Sequence, residues 1–394
     1  MKRSIWVVTT SRADYGLLFN LMKELKEDNN CDLKIIATGM HVSEKHGNTY
    51  KKIVDDGFEI YKKIDMELTD DSSESIVRSI GKGCIKFADI FSEIKPDVLV
   101  VLGDRFDLLP AVITCLVNNV IVAHIHGGET SEGAIDESIR HSVSKMSHIH
   151  FPAAEEYRER LIQLGEDPEN IFNYGAPGLD NIYKLKFLSK EEFFKKTGLD
   201  KNKVTAIVTF HPVTLDDITA KEQAENSINA IKESGINAIF TSSNADKGGS
   251  IFNEIFKSFC DRYPDRFKFI QNLGSELYFS ALKNVDMMIG NSSSGLTEAP
   301  SFNLPVVNIG SRQDGRIKAG NIINSTYEKA DIKSSIEKAK SADFKNKIKD
   351  VENPYDKMKN GKASHMIKEK LMSIMLDKSM MKKKFHNLNT LTLG

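Results

Sequence analysis

Apolar positions in the first 165 residues fall into two alternating kinds of pattern. Short runs rich in Val, Ile and Leu at 4–10, 33–38, 58–64, 97–102, 120–125 and 149–152 read as buried strands. Between them, apolar residues recur at helical spacing over 15–27, 50–56, 74–94, 108–117, 135–145 and 155–164, with Gly57, Pro96 and Gly165 as stops. This alternation predicts βαβ units, and so a parallel sheet with helices on both faces. From 181 to 203 the pattern loosens: charged residues dominate and no strand is evident, which places a domain boundary there. A second series follows, with strands at 204–210, 236–241, 267–270, 285–289 and 306–309. Its helices fall at 220–234, 251–262, 277–284, 294–301, 330–342 and 362–376.

The fold class expected is α/β, GT-B-like: two doubly wound, Rossmann-like domains with a cleft between them. Residues 1–185 form the first domain and 186–377 the second, the last helix packing back towards the first. Residues 378–394, with the run Lys382-Lys383-Lys384, read as a solvated tail.

Composition narrows the function classes. Of 394 residues 40% are hydrophobic, enough to fill two cores, and the formal net charge of −1 lacks the basic excess of a general nucleic-acid binder. Cys31, Cys84, Cys115 and Cys260 are scattered, form no CxxC pair and read as free thiols. No run approaches the about 20 apolar residues of a membrane helix. Met1-Lys2-Arg3 leads directly into a strand too short for a signal core, so a cytoplasmic protein with no membrane partner is expected.

Candidate chemistry gathers at strand ends. The stretch 120–141 runs from an apolar strand through Gly127-Gly128 into a helix and holds His124, His126, Glu129, Glu132, Asp136, Glu137, Arg140 and His141. Open α/β sheets place ligands at such ends. His126, Glu129 and Asp136 are acid/base candidates; Asp136 equally suits a helix first turn, and Asp136–Arg140 an ordinary helix ion pair. No metal-binding spacing is present, so no metal or other cofactor is expected. After the first strand, Ser11 and Asp14 suit a helix cap, whereas Arg12 points to a ligand. No GxGxxG is present. Asp104-Arg105 follows the fourth strand, and His211, set before Pro212, follows the first strand of the second series. Gly290 to Pro300, with Ser292, Ser293, Ser294, Gly295 and Glu298, reads as a phosphate cradle whose glutamate could accept ribose hydroxyls. Arg312 and Arg316 could neutralise phosphate. Acid/base groups in the first half and phosphate loops in the second suggest a nucleotide diphosphate carrying a sugar.

Read together, SRADYG, GMH with GNTY, GDRFD, HIHGGE, DESIRHSVSKMSHIH, FHPVT, TSSNAD, GNSSSGLTEAP and VNIGSRQDGR resemble the hydrolysing UDP-N-acetylglucosamine 2-epimerases of bacterial sialic-acid synthesis, over about residues 1–376. The resemblance implies conversion of UDP-N-acetylglucosamine and water to N-acetylmannosamine and UDP. The nucleotide leaves by elimination, giving a 2-acetamidoglucal, which is then hydrated with inversion at carbon 2. It assigns catalytic roles to Asp104 and Asp136 and places His211 near the diphosphate. Arg12, Arg105, Asn244, Ser292, Ser293, Ser294, Gly295, Glu298 and Arg312 become substrate contacts. A homodimer or homotetramer is expected. Some members carry glutamate at the position of His126, as HIEGGE. Here either His126 takes that acid/base role or Glu129 supplies it. The alternative substrates are UDP- or GDP-linked 2,4-diacetamido-2,4,6-trideoxyglucose. Further alternatives are a GT-B glycosyltransferase, a non-hydrolysing epimerase and a nucleotide-sugar sensor.

Overall fold

The computed structural model describes residues 2–70, 72–131, 135–211, 213, 218–243 and 249–388. The chain divides into two compact units, Met1–Tyr183 with Tyr355–Gly394, and Lys184–Pro354.

The first unit holds a six-stranded parallel sheet. Its strands are β1 (Arg3–Thr9), β2 (Cys31–Thr38), β3 (Ile60–Ile64), β4 (Val98–Leu102), β5 (Ile121–Ile125) and β6 (Ile149–Phe151), in the order β3-β2-β1-β4-β5-β6. Side chains alternate across the sheet. Ile5 and Val7 of β1 enter one core with Leu18, Leu21, Ile367 and Leu371, while Trp6 and Val8 enter the opposite core with Phe87, Phe91 and Leu99. Both faces are apolar because helices cover both.

The second unit repeats the plan. Strands β7 (Thr205–Thr209), β8 (Asn237–Thr241), β9 (Phe267–Ile270), β10 (Met287–Gly290), β11 (Val306–Ile309) and β12 (Ile322–Ser325) are all parallel, in the order β12-β11-β10-β7-β8-β9. Numbered from its own first strand, each sheet therefore runs 3-2-1-4-5-6, and strand order reverses between β1 and β4 and between β7 and β10. Ligands of doubly wound sheets bind beyond the carboxyl ends of strands at that reversal.

Three placements differ from the sequence reading. Strand β12 was not expected: Ile-Ile-Asn-Ser is short, polar at its end and paired only on one side. The helix expected at 294–301 is a single turn, Ser294–Thr297, followed by a 3-10 turn, Ala299–Phe302, because Pro300 cannot donate onward. Residues 355–377, read as the end of the second domain with the last helix packing back towards the first, belong to the first unit. Asp180 there takes the backbone N–H of Ala363 and Ser364 at 3.0 and 2.8 Å and caps the helix Ala363–Ser373.

The expected solvated tail is, up to residue 388, seated on the first unit. Lys383 pairs with the buried Glu166 at 2.5 Å and donates to the carbonyls of Ser147 and Lys145 at 2.6 and 2.8 Å. Phe385 lies over Gly165, where an added Cβ would collide with its ring. Burial works to raise the pKa of Glu166, but His150, Lys145 and Lys383 outweigh it and hold it at about 2. Lys383, the middle lysine of the run, thus joins a buried charge cluster, while Lys382 and Lys384 are exposed. Among the described residues no helix is long and apolar enough to cross a membrane.

Candidate active site

In the first unit the site is built on the loops that follow β1, β4 and β5. After β1, Asp14 accepts the backbone N–H of Thr10 and of Ser11, each at 2.7 Å, and the Ser11 hydroxyl at 2.7 Å. Ser11 and Asp14 are therefore a helix-capping pair, the structural one of their two readings. Arg12, the first residue of that helix, is exposed.

After β4, Gly103 turns the chain with φ of +83° and presents Asp104 and Arg105. Arg105 forks onto the buried Asp107, Nε to Oδ2 at 2.9 Å. Burial works against its charge, but Asp107, Asp14 and Asp136 outweigh that and keep its pKa above the ordinary value. Asp107 and Asp136 thus enter the site through Arg105.

The residue that organises this end is Arg140, only 1% exposed. One guanidinium nitrogen donates to the Glu129 carbonyl at 2.9 Å and to Glu137 at 3.1 Å. The other donates to Ser131 Oγ at 2.8 Å and pairs with Asp104. This network joins the ends of β4 and β5. Glu137 also bridges to His141 at 3.1 Å and accepts the Ser131 N–H. Burial works to raise the Glu137 pKa, but the bonds from Ser131 and His141 and the charge of Arg140 lower it on balance.

After β5 the two glycines are required by space. A Cβ on Gly127 would come within 2.8 Å of Ser144 Oγ, and one on Gly128, where φ is +79°, would enter the Tyr157 carbonyl. They bring Glu129 back onto His126, whose Nδ1 lies 2.6 Å from Glu129 Oε1. His124 on the strand itself is structural: Nε2–H donates to the Gly103 carbonyl at 2.8 Å, and Nδ1 accepts from Ser144 at 3.0 Å. Full burial is the main cause that holds its pKa at about 3.

That value carries a pH prediction. The folded protein keeps His124 neutral while the unfolded chain protonates it below about 6.5. The unfolded state then binds more protons, so stability is full above pH 6.5 and falls as pH drops towards 3. His148, held at about 4 mainly by burial, adds to the same slope. Denaturant midpoints of His124→Gln, which keeps a donor for Gly103, are expected to fall less steeply between pH 6.5 and 4 than those of the native chain. Equal slopes would show that His124 does not carry this dependence.

In the second unit the reversal point is bridged by Asn291, fully buried at the end of β10. Its side chain accepts the His211 N–H and donates to the His211 carbonyl, both at 2.7 Å. Its own carbonyl accepts from Arg312 at 3.0 Å and from Gln313 at 2.8 Å. One asparagine thus gathers His211 and Arg312, which lie 80 residues before and 21 after it. The serine loop is partly as expected. Ser292, Ser293 and Ser294 are half-exposed, and Ser294 bonds the Tyr278 hydroxyl. The Gly295 N–H, however, is taken by the Ser292 carbonyl at 3.1 Å, and a Cβ there would press on Val306. Gly295 is therefore a packing glycine as well as a loop residue. Glu298 accepts from the Thr297 hydroxyl. Asn244 lies outside the described residues.

Asp107 and Asn291 were not singled out from the sequence, and Glu137 and Arg140 were counted in the 120–141 stretch without a role in the site. The available signal was weak: a buried Asn directly after a strand glycine, and an arginine four residues beyond a candidate carboxylate.

The chain matches the model of the UDP-N-acetylglucosamine 2-epimerase family over residues 23–372. It is 40% identical over 347 residues to the GDP/UDP-N,N'-diacetylbacillosamine 2-epimerase (hydrolyzing) of Campylobacter jejuni, covering 87% of this chain and 89% of that one. It is also 40% identical over 324 residues to the UDP-N,N'-diacetylbacillosamine 2-epimerase (hydrolyzing) of Legionella pneumophila, covering 82% and 85%. The fold superposes on the crystal structure of UDP-GlcNAc 2-epimerase from Neisseria meningitidis bound to UDP-GlcNAc, with a TM-score of 0.80 at 17% identity, covering 94% of this chain and all of that one. That superposition supports a GT-B-like fold of two α/β domains. By its family match and by relatives sharing two residues in five along most of their length, this chain belongs to the UDP-N-acetylglucosamine 2-epimerase family and is an enzyme of its hydrolysing kind.

Proposed function

We propose that the substrate is a nucleotide-linked 2,4-diacetamido-2,4,6-trideoxyglucose, N,N'-diacetylbacillosamine, which water converts to the free 2-epimer and a nucleoside diphosphate. The observation that carries this is the 40% identity to two relatives whose names specify that sugar. A second reading, UDP-N-acetylglucosamine, is favoured by the name of the family. The two sugars differ at carbon 4, acetamido against hydroxyl, and at carbon 6, methyl against hydroxymethyl.

In this reading the nucleotide leaves by elimination across carbons 1 and 2, and water adds to the resulting glycal with inversion at carbon 2. Asp104 and Asp136 act on the sugar, as proton carriers beside Arg140 and Arg105. Arg12, His211, Ser292, Ser293, Ser294 and Arg312 neutralise and bond the diphosphate. Glu298 accepts ribose hydroxyls, and Arg105, Asn244 and Gly295 complete the substrate contacts.

The test is to incubate the enzyme with UDP-N-acetylglucosamine and with the UDP- and GDP-linked diacetamido sugar in deuterated water, following products by NMR. Free sugar with deuterium at carbon 2 is expected. The diacetamido donors should react with at least about tenfold higher kcat/KM, a difference of about 1.4 kcal/mol. A preference for UDP-N-acetylglucosamine would overturn the substrate assignment. Epimerised sugar still bound to nucleotide would overturn hydrolysis.

A further inference from the structure

Elimination from carbon 2 needs a base with a lone pair that is dry, aimed and not already committed. The carboxylates Asp104 and Glu137 are both engaged by the guanidinium of Arg140. Each already accepts from that side chain, and Glu137 also accepts the Ser131 N–H and bonds His141.

His126 is built differently. It sits just past β5 with φ of +63°, a left-handed conformation that costs a residue with a side chain about 1–3 kcal/mol. The surrounding chain holds that conformation: its N–H donates to the Phe151 carbonyl at 3.0 Å. Its ring is mostly buried, with the side chain 12% exposed. Glu129 Oε1 at 2.6 Å from Nδ1 places the ring proton on Nδ1 and the lone pair on Nε2. Nε2 is buried and has no hydrogen-bond partner among the described residues. Burying such an atom unbonded costs about 1–3 kcal/mol. Backbone strain and an unbonded buried nitrogen in one residue mark a group held ready for a ligand.

We propose that His126 is the base that removes the carbon-2 proton, and that Glu129 is the positioning residue that orients its imidazole and stabilises the imidazolium. This rests on the hydrolysing 2-epimerase reading of the site. In the step, the carbon-2 C–H electron pair becomes the carbon-1–carbon-2 π bond. The carbon-1–oxygen bond breaks, its pair leaves on the nucleoside diphosphate, and the proton moves to Nε2. His126 then returns that proton to solvent. In hydration a different acid protonates carbon 2 from the opposite face, water oxygen bonds carbon 1, and the proton that water loses restores that acid. The sum is nucleotide sugar plus water to free sugar plus nucleoside diphosphate. Histidine and Glu129 are thus parts of one device rather than alternatives for one role.

The experiment separates the two half-reactions. His126→Asn is the variant of choice, because asparagine accepts the left-handed backbone well. It is expected to lower kcat on the nucleotide sugar by about 10²–10⁴-fold. Binding of UDP or GDP measured by calorimetry should be unchanged. Hydration of the chemically prepared glycal should stay within about tenfold of the native rate, since that step does not use the elimination base. Turnover above about a tenth of native, or glycal hydration lost as fully as elimination, would overturn the assignment.

Glu129→Gln tests the positioning role and decides the matter alone if the histidine variant does not fold. The charged and titratable groups around His126 are Glu129 in its own loop and His124 on β5. Arg140 reaches the Glu129 carbonyl, and Arg160 of the helix Glu155–Gln163 the Gly128 carbonyl. With the carboxylate gone, the ring is no longer fixed with its lone pair on Nε2. Glu129→Gln should therefore lower kcat by about 10–10²-fold while binding of UDP or GDP by calorimetry is unchanged, and Glu129→Asp should restore part of the lost rate. A glutamine variant with native kcat would overturn the role of Glu129. A native enzyme that releases nucleotide from none of the three donors fails the functional reading itself, before any variant is compared.

Discussion

Arg140→Met is expected to cost about 3–5 kcal/mol of stability and nearly all activity. The substitution keeps an unbranched apolar stem of similar reach, so it leaves little cavity. What it removes is the charge that sits 1% exposed between Asp104 and Glu137, both of them only 26% exposed. Removing one partner of a buried ion pair leaves the other charges uncompensated, and that is the source of the penalty. The same guanidinium also serves the Glu129 carbonyl and Ser131. Loss of activity follows because Asp104 loses its fixed position, and a displacement of about 1 Å costs about 10²-fold in rate. Arg140→Lys separates the two effects. It restores a charge, and so much of the stability, but a single ammonium cannot reproduce a planar fork that serves four acceptors. Its melting temperature should lie between those of native and methionine forms, while kcat/KM stays at least about 10²-fold below native. A lysine variant with near-native kcat/KM would show that the network is structural support alone.

Gly290→Ala is expected to be the most damaging single-methyl change in the second unit. Gly290 closes β10 with φ of +134° and pairs with Thr209 of β7. A Cβ there would enter the Thr209 carbonyl, which is backbone and cannot rotate away. Strands β10 and β7 would have to separate at the reversal point of the sheet, where Asn291 holds His211. A loss of about 4 kcal/mol or more is expected by chemical denaturation, in the range reserved for steric conflict at a special backbone position. Gly103→Ala is the comparison. Its φ is +83° but nothing lies within 4 Å of the added Cβ, so only the left-handed penalty of about 1–2 kcal/mol applies. Similar losses in the two variants would show that β10 and β7 take up the added methyl without separating.

The strands were the most legible part of the chain. Six were expected in the first unit and all six form; β4 and β5 are apolar runs buried along their whole length, whereas the edge strand β3, Ile-Tyr-Lys-Lys-Ile, is buried only at Ile64. Strand β12 escaped notice because an edge strand needs an apolar surface on fewer sides, and Ile-Ile-Asn-Ser carries little of the usual pattern. The positions of the candidate site residues were legible too. Loops after parallel strands must emerge on one edge of the sheet, so Asp104 and His126 in the first unit, or His211 and Arg312 in the second, are gathered by topology alone. Residues 126 and 129 stand three apart in HIHGGE, and only the double-glycine turn shows that their side chains meet.

Local pattern in this sequence therefore determined two doubly wound α/β domains and the strand ends where chemistry gathers, since periodicity and turn residues act over a few positions. Only the tertiary structure decided which charges pair. Asp104 meets Arg140 across 36 residues, and His211 meets Asn291 across 80. It also decided that Lys383 docks on Glu166 while Lys382 and Lys384 face solvent, because a lysine is stable in either setting and this partner lies more than 200 residues away. Pairing is a property of distance in space, and in a sheet whose order runs 3-2-1-4-5-6, distance along the chain says little about it.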